Sequence, residues 1–306
     1  MRIAFLGTPE FALPSLQMLI DAGHEISVFT QPDRPKGRHG ALTPPPTKVL
    51  AVKYRLPVYQ FEKIRLPEGI EALKAFKPDL MVTAAFGQIL SKENLDIPTY
   101  GCINVHGSLL PKYRGAAPVQ WAIIDGETVT GVTTMLTDVG LDTGDILMKR
   151  EVEIGLEETG GELMERLSFV GAALLKETIE KLQNGTLQRE KQNADMATKC
   201  PMLKKEHGKV DFLKSAKVVH NLVRGVTPWP RAYAFLEEET VKLHKVFLTG
   251  VKATGNPGTC AVENDRLFVN TVDELIEIVE LQFAGGKRMA ASAAIRGRSL
   301  IGKVLQ

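Results

Sequence analysis

The sequence contains little cysteine, and what it has is not arranged for a disulfide framework or a metal site. Cys102, Cys200 and Cys260 are far apart, odd in number and form no C-x-x-C pair. This spacing argues against a disulfide-rich secreted domain and a zinc ribbon, and it is typical of a protein in a reducing compartment. We therefore expect no bound metal and no thiol intermediate.

Long apolar runs, targeting segments and an excess of either charge are also missing. No run approaches the ~18 apolar residues that cross a bilayer, and an apolar strand pattern begins at Ile3 without a signal or transit peptide. We expect a bacterial cytoplasmic protein without a membrane partner.

Residues 1–189 carry 20 basic and 23 acidic side chains, whereas residues 190–306 carry 18 and 13. The basic C-terminal third is compatible with an anionic partner and equally with scattered solvated lysines.

The length of 306 residues suggests about two domains. In the first, apolar strands alternate with amphipathic segments, which predicts an α/β domain with a mostly parallel sheet and ligands at the carboxyl ends of its strands. A polar stretch at 190–207 predicts a linker between domains at 1–189 and 208–306. In the second domain, short alternating runs after a helix at 215–223 predict a small β-barrel or sandwich. The predicted strands are 3–6, 26–29, 80–84, 102–105, 132–136, 232–236, 241–248, 258–262, 267–270 and 277–283.

One connection in the first domain, residues 32–47, is long and basic. It has no hydrophobic period, contains three prolines at 44–46 and carries Arg34, Lys36 and Arg38. Loops of this length are usually functional or disordered, and consecutive prolines favour an extended segment. A basic arm that binds phosphates and a solvated flexible loop are both compatible with this composition.

The turn after the first strand, Gly7-Thr8-Pro9, stands where a dinucleotide-binding fingerprint would lie. That fingerprint needs glycine at positions 9 and 12, where this chain has Pro9 and Ala12. Without those glycines a pyrophosphate cannot approach the backbone closely, so a dehydrogenase is disfavoured.

The densest polar cluster follows another predicted strand. Period-two geometry places Cys102, Asn104 and His106 on one face of it. An Asn amide can donate to a developing oxyanion and a His can move a proton, although either side chain can instead satisfy a buried backbone group. A Cys102–His106 nucleophile pair is also formally possible, but a buried inert thiol is favoured.

A second cluster, Asp138, Asp142 and Asp145, follows the strand at 132–136. Its spacing fits neither an EF-hand calcium loop nor a histidine-rich zinc site. One of these carboxylates is expected to orient His106, and the alternative is a set of turn-forming residues.

Three segments carry a family resemblance: residues 104–111 around Asn104 and His106, residues 113–118 (Tyr-Arg-Gly-Ala-Ala-Pro) and residues 138–145. In this order they resemble the formyltransferases that use 10-formyltetrahydrofolate. Residues 31–38 and 223–230 are similar to the branch of that family that acts on methionyl-tRNA, so the resemblance covers nearly the whole chain. It implies a Rossmann-like domain followed by an OB-like β-barrel that contacts tRNA.

The resemblance also implies roles for individual residues. By position, Asn104, His106 and Asp142 match the family's catalytic residues. The arm at 32–47 matches the insertion that enters the tRNA acceptor end, which implies tRNA contacts for Arg34, Lys36 and Arg38. The folate pocket is implied at Phe86, Gly87, Gln88, Ile89, Leu90, Ser108, Leu109, Leu110 and Pro111.

The implied reaction is transfer of the formyl group of 10-formyltetrahydrofolate to the free α-amino group of initiator methionyl-tRNA, by direct attack. We expect a monomer. The alternatives are formyl transfer to another amine (glycinamide ribonucleotide or an amino sugar nucleotide), hydrolysis of the formyl-folate, and a tRNA-binding protein with a degenerate enzyme domain. Trp229, between two prolines, is interpreted as a hydrophobic anchor of the second domain rather than a base-stacking platform.

Overall fold

The structure, a computed structural model, describes residues 1–36 and 40–306. Its strands are β1 (Arg2–Gly7), β2 (Glu25–Thr30), β3 (Arg34–Lys36), β4 (Ala41–Thr43), β5 (Val58–Gln60), β6 (Leu80–Ala84), β7 (Cys102–His106), β8 (Arg114–Gly115), β9 (Val129–Leu136), β10 (Ile146–Glu153), β11 (Lys199–Cys200), β12 (Ala232–Leu236), β13 (Glu239–Lys252), β14 (Cys260–Glu263), β15 (Arg266–Asn270), β16 (Glu274–Phe283) and β17 (Met289–Ala290). Its helices are α1 (Leu13–Asp21), α2 (Pro46–Lys53), α3 (Pro67–Phe76), α4 (Lys92–Leu95), α5 (Pro118–Ile124), α6 (Gly160–Gln183), α7 (Ala216–Gly225) and α8 (Ala291–Gly297).

The chain forms two compact units and passes between them more than once. The first unit contains Met1–Gly115, Val129–Glu153 and Met164–Lys199. The second contains Ala116–Thr128, Ile154–Leu163 and Cys200–Gln306. The domain boundaries at 189 and 208, with the linker between them, stay a prediction.

The first unit is built on a seven-stranded sheet in the order β10-β9-β7-β6-β1-β2-β5. The strands β5, β2, β1, β6 and β7 are parallel, whereas β9 runs antiparallel to both β7 and β10. The central strands are buried over nearly their whole length, which explains their continuous apolar runs. The predicted Rossmann-like, mostly parallel sheet is confirmed, and the carboxyl ends of β1, β2, β6 and β7 meet at one edge of it.

The basic connection at 32–47 contains more regular structure than predicted. β3 and β4 pair antiparallel, with Arg34 opposite Thr43, and α2 begins at Pro46 inside the stretch expected to be extended. Proline is favoured in the first turn of a helix, because an N–H there has no intrahelical partner to lose. The prediction for Arg38 falls outside the described residues, as does the side chain of Lys36.

The second unit is an antiparallel sheet in the order β12-β13-β16-β15-β14, with β17 paired to β16. The end of the chain lies between the two outer strands. Gln306 exchanges backbone hydrogen bonds with Phe235 on β12, and Leu305 donates to the Gly258 carbonyl just before β14. These bonds close the sheet, as the predicted β-barrel requires, around a core contributed by α7, α8 and every strand from β12 to β16.

The motif at 223–230 contacts a neighbouring segment of the same unit. Arg224 Nη1 donates to the carbonyl oxygens of Gly155 and Glu158, each at 3.1 Å, and Gly161 N donates to the Thr227 carbonyl at 2.9 Å. The Trp229 side chain is 54% exposed, so its interpretation as a hydrophobic anchor is wrong. Arg224 and the Thr227 backbone hold this motif in place instead, which leaves the indole at the surface.

None of the helices in the described part of the chain combines the length and the apolar character needed to span a membrane.

Candidate active site

Asn104 and His106 lie at the carboxyl end of β7, with β6 on one side and β9 on the other. Asn104 is in register with Thr83 of β6 and with Met135 of β9. The Thr83 hydroxyl donates to Asn104 Oδ1 at 2.9 Å. Because an amide accepts through oxygen and donates through nitrogen, this bond identifies Nδ2 as the donor that a ligand can use. Within residues 1–36 and 40–306, that nitrogen forms no hydrogen bond.

His106 is almost fully enclosed, with 6% of its side chain exposed. Its Nε2 lies 2.9 Å from the carbonyl oxygen of Tyr113. A carbonyl oxygen only accepts, so Nε2 carries a hydrogen and donates it to Tyr113. The other ring nitrogen, Nδ1, lies 3.8 Å from Asp142 Oδ2, which is too long for a hydrogen bond. Nδ1 is therefore the ring atom with hydrogen-bonding capacity left for a substrate.

Asp142 is the acidic residue that the fold brings to His106. Its Oδ2 accepts a hydrogen bond from Gly115 N at 2.8 Å. Asp138, by contrast, is used within the loop itself, where it accepts from the Thr143 hydroxyl and from Gly140 N. Asp142 is therefore the carboxylate near His106, and its role in orienting the ring stays a prediction.

The loop that carries Asp142 folds back closely onto the end of β9. Leu136 N donates to the Asp145 carbonyl at 2.9 Å. A Cβ atom on Gly144 would lie 1.8 Å from the Leu136 carbonyl oxygen, so only glycine fits at that position. Asp142 itself has a φ of +52°, a left-handed conformation that is uncommon for a residue with a side chain. The loop is therefore a specific, tightly folded structure.

Two residues that contact the site were missed by the sequence analysis. Thr83 orients Asn104 but is hidden in the apolar run of β6, and Gln192 contacts the backbone of the Asp142 loop from within the polar stretch after α6. No local sequence pattern marks either residue, because the partner of each lies more than twenty residues away in the chain.

Cys102, on the same strand as His106, does not offer a nucleophile. Its side chain is buried, and burial raises the pKa of the thiol to about 12. Only the thiolate is strongly nucleophilic, so the Cys102–His106 pair is disfavoured. Among the residues described, no three His, Cys, Asp or Glu side chains are grouped closely enough to hold a metal ion.

The residues implied for a folate pocket lie at two places on this edge of the sheet. After β6, Phe86 is buried in the core, and its carbonyl accepts from the Thr8 hydroxyl at 2.9 Å. The Gln88 side chain accepts from Ile64 N and donates to the Phe61 carbonyl, whereas Ile89 is 70% exposed. The side chains in this segment that a ligand can reach are thus Ile89 and, in part, Gln88 and Leu90.

After β7, the loop at 108–111 is tied to β9. Ser108 Oγ donates to the Lys112 carbonyl, and Leu110 N donates to Thr133 Oγ1 at 3.1 Å. Leu110 packs with Met135 and Ile146, while Leu109 and Pro111 are partly exposed. Gly87, which belongs to the segment after β6, is exposed, and its carbonyl accepts from Gln31 Nε2 at 3.0 Å.

Arg34 of the arm and Lys48, which follows the arm directly, are paired with acids of the same unit. Arg34 Nη2 lies 2.6 Å from Glu62 Oε2, on exposed side chains. Lys48 Nζ donates to Asp33 and to Gln60 Oε1. Hydrogen bonds from Gln60 and Lys48 hold the pKa of Asp33 below its usual value.

Two family models match the chain that carries Asn104, His106 and Asp142 at this edge of the sheet. A model of the formyl transferase family matches residues 1–179, and a model of the formyl transferase C-terminal domain matches residues 202–299. The chain belongs to the formyl transferase family.

Within that family, two curated relatives with about half of their residues identical to this chain carry the same name. Methionyl-tRNA formyltransferase of Ruminiclostridium cellulolyticum is 49% identical over 304 residues, which cover 98% of this chain and 97% of the relative. The enzyme of the same name from Geotalea uraniireducens is 52% identical over 299 residues, 97% of this chain and 95% of the relative.

Solved structures at lower identity share the fold. WlaRD, a sugar 3N-formyl transferase crystallised with dTDP and 5-N-formyl-THF, has a TM-score of 0.70 at 19% identity, over 94% of this chain and 99% of that one. HypX from Aquifex aeolicus, in complex with tetrahydrofolic acid, has a TM-score of 0.65 at 18% identity, over 96% of this chain and 47% of that one.

Proposed function

We propose that this protein transfers the formyl group of 10-formyltetrahydrofolate to the α-amino group of initiator methionyl-tRNA, giving N-formylmethionyl-tRNA for translation initiation. The observation that carries the proposal is the similarity, at 49–52% identity over nearly the full length, to enzymes named for that reaction. The sugar-specific neighbour shares only 19% identity, so it supports the fold and not its acceptor. We further propose a monomer that works in the bacterial cytoplasm.

The site geometry suits an acyl transfer through a tetrahedral intermediate. Attack of the amine forms a bond between its nitrogen and the formyl carbon, and the formyl oxygen becomes an oxyanion. Asn104 Nδ2, whose amide is oriented by Thr83, donates a hydrogen bond to that oxyanion. His106 presents Nδ1 toward the same reacting centre, since Tyr113 already accepts the hydrogen on Nε2.

A proton must leave the attacking nitrogen and reach the folate nitrogen as the carbon–nitrogen bond to the folate breaks. His106 and Asp142 are the groups placed to handle it, with 3.8 Å between Nδ1 and Oδ2. In this proposal His106 carries a hydrogen on both ring nitrogens, so its Nδ1–H stabilises the oxyanion together with Asn104 while its Nε2–H stays bonded to the Tyr113 carbonyl. Asp142 holds His106 in this charged form and assists removal of the amine proton, which passes to the folate nitrogen as the carbon–nitrogen bond breaks. The atoms balance without a metal or a thiol.

The folate is proposed to lie against the segments at 86–90 and 108–111, whose accessible side chains are mainly apolar. Such surfaces suit a flat aromatic ligand, because most pockets for small molecules are lined by apolar groups with few polar ones. Arg34, Lys36 and Arg38 are proposed to bind tRNA phosphates, and the barrel unit to contact the tRNA as well. On this division, residues 1–189 supply the chemistry, 190–207 the linker, and 208–306 further tRNA contacts.

The test is an acceptor competition. The purified protein is incubated with 10-formyltetrahydrofolate and, separately, with methionyl-tRNA, glycinamide ribonucleotide, an amino sugar nucleotide or water alone. We expect formylated product with methionyl-tRNA only. Transfer to a small amine alone, or release of formate at the same rate without an acceptor, would overturn the proposal. Binding of tRNA without any transfer would indicate a degenerate enzyme domain.

A further inference from the structure

The Gln192 side chain connects three positions of the first unit. Its Nε2 donates to the carbonyl oxygens of Asp142 at 2.8 Å and Gly144 at 2.7 Å. Its Oε1 accepts from Arg114 Nε at 3.0 Å and Nη2 at 2.7 Å. An amide has two N–H donors and two acceptor lone pairs, so every hydrogen-bonding position of Gln192 is used.

The bonds from Gln192 are made to the part of the Asp142 loop whose backbone conformation is least favourable. Asp142 has a positive φ, and residues in that region persist only when their surroundings hold them there. Gly115 N holds the carboxylate of Asp142, while Gln192 holds its carbonyl group. The second bond from Gln192, to Gly144, spans the tightest part of the loop.

We propose that Gln192 is a positioning residue that sets the distance between Asp142 and His106, and this inference rests on the proposed formyl transfer. Gln192 lies between the stretches that match the two family models, residues 1–179 and 202–299. Arg114 is the second member of the arrangement, because its guanidinium fixes the orientation of the Gln192 amide.

The Gln192 amide both donates and accepts hydrogen bonds, and a substitution that removes only the donor tests positioning apart from the space that the side chain fills. Glutamate at position 192 has nearly the same shape and still accepts from Arg114, with an added ion pair. It has no hydrogen to donate, however, and would place a negative oxygen against two carbonyl oxygens. Gln192→Glu therefore keeps the Arg114 contact and breaks the contacts to the Asp142 loop.

The experiment compares Gln192→Glu with Gln188→Glu, which makes the same change at an exposed position four residues earlier in the chain. Steady-state formylation of methionyl-tRNA is measured for both, with KM for each substrate and the thermal midpoint. A displacement of about 1 Å at a reacting group costs on the order of 10²-fold, so we expect kcat of Gln192→Glu to fall about 10- to 100-fold. The KM values are expected to change little. The thermal midpoint is expected to fall by a few degrees because two hydrogen bonds are lost, so kcat is measured well below it. Gln188→Glu is expected to match the wild type.

A double-mutant cycle tests whether the effect passes through Asp142. In an Asp142→Asn background, where the carboxylate is already lost, Gln192→Glu is expected to lower kcat no further. An additional fall equal to that in the wild type would overturn the positioning role, and so would wild-type kcat in the single variant. If Gln192→Glu does not fold, Gln192→Met, which is neutral and of similar length, is judged by the same criteria. Failure of the wild type to formylate methionyl-tRNA would instead overturn the proposed function.

Discussion

The strand-edge site of Asn104, His106 and Asp142 and the arm at residues 32–47 hold their polar side chains in different ways. In the site, each side chain is bonded to a neutral partner, either a hydroxyl, a backbone carbonyl or a backbone N–H. In the arm Arg34 is bonded to a carboxylate, as is Lys48, the residue that follows the arm. Exposure differs as well, since the Arg34 side chain is 58% exposed and that of His106 is 6% exposed.

The geometry of the site is therefore fixed before a substrate binds, whereas the cation of the arm can exchange one anionic partner for another. Buried hydrogen bonds to the backbone set atomic positions before a substrate arrives, which is what stabilisation of a developing charge requires. An exposed ion pair contributes only about 0–1 kcal/mol, so a cation can leave it for a phosphate at little cost. Changes in the site are therefore expected to affect kcat, and changes in the arm to affect KM for the tRNA.

The largest expected effect is that of Asn104→Ala. Loss of one oxyanion donor costs about 2.7–4 kcal/mol, so we expect kcat to fall on the order of 10²- to 10³-fold, with KM for methionyl-tRNA nearly unchanged. Steady-state kinetics on protein with a wild-type circular dichroism spectrum provide the measurement. Near-normal turnover in such a protein would remove Asn104 from the chemistry.

A smaller effect is expected when the partner of Asn104 is changed. Thr83→Val keeps the shape of the side chain but loses the hydroxyl that orients the amide. A hydrogen bond of this kind is worth about 1 kcal/mol, so we expect a fall in kcat of about fivefold. Thr83→Ser retains the hydroxyl and serves as the control, with turnover close to wild type. Equal losses in both variants would mean that packing, and not orientation of the amide, is what matters at Thr83.

The smallest expected effect is in the arm, and it lies in a different kinetic constant. Arg34→Ala is expected to raise KM for methionyl-tRNA by about two- to fivefold at low salt, because one phosphate contact is lost. The dependence of log KM on log salt should become shallower by about 0.7–0.9, and kcat should stay unchanged.

Glu62→Gln is the matched control for Arg34→Ala, because it frees Arg34 from its carboxylate while leaving the cation in place. We expect KM for methionyl-tRNA to stay the same or decrease. A lower kcat in either variant would break the separation between the arm and the site.

Much of the fold follows from hydrophobic patterning. The runs at 80–84 and 232–236 coincide with β6 and β12, and the helix predicted at 215–223 overlaps most of α7. These elements bury continuous or strictly periodic apolar faces, so local pattern and tertiary packing agree. The alternation of side chains along a strand also predicted that Asn104 and His106 lie on the same face near one end of a strand.

Other features depend on contacts that no local pattern contains. The paired strands β3 and β4 have three residues each and include Pro35, so strand periodicity is absent there. Gln192 lies in a stretch whose polarity resembles that of any solvated connection, and its partners are about 50 to 80 residues away. Trp229 has a large apolar ring, yet more than half of it is exposed, while Arg224 bonds its motif to the Gly155 carbonyl. Polar contacts over such separations are determined only once the topology has brought the segments together.

The turn at 113–115 gives the site a spectroscopic handle. Its Tyr113 carbonyl accepts from His106, and two residues later Gly115 N donates to the Asp142 carboxylate. Glycine amides occupy a sparse, upfield region of a ¹H–¹⁵N NMR spectrum, and a hydrogen bond to a carboxylate moves an amide proton downfield. The chemical shift of the Gly115 amide therefore reports whether Asp142 is bonded to the turn that also holds His106. No label on the substrate or on a side chain is needed.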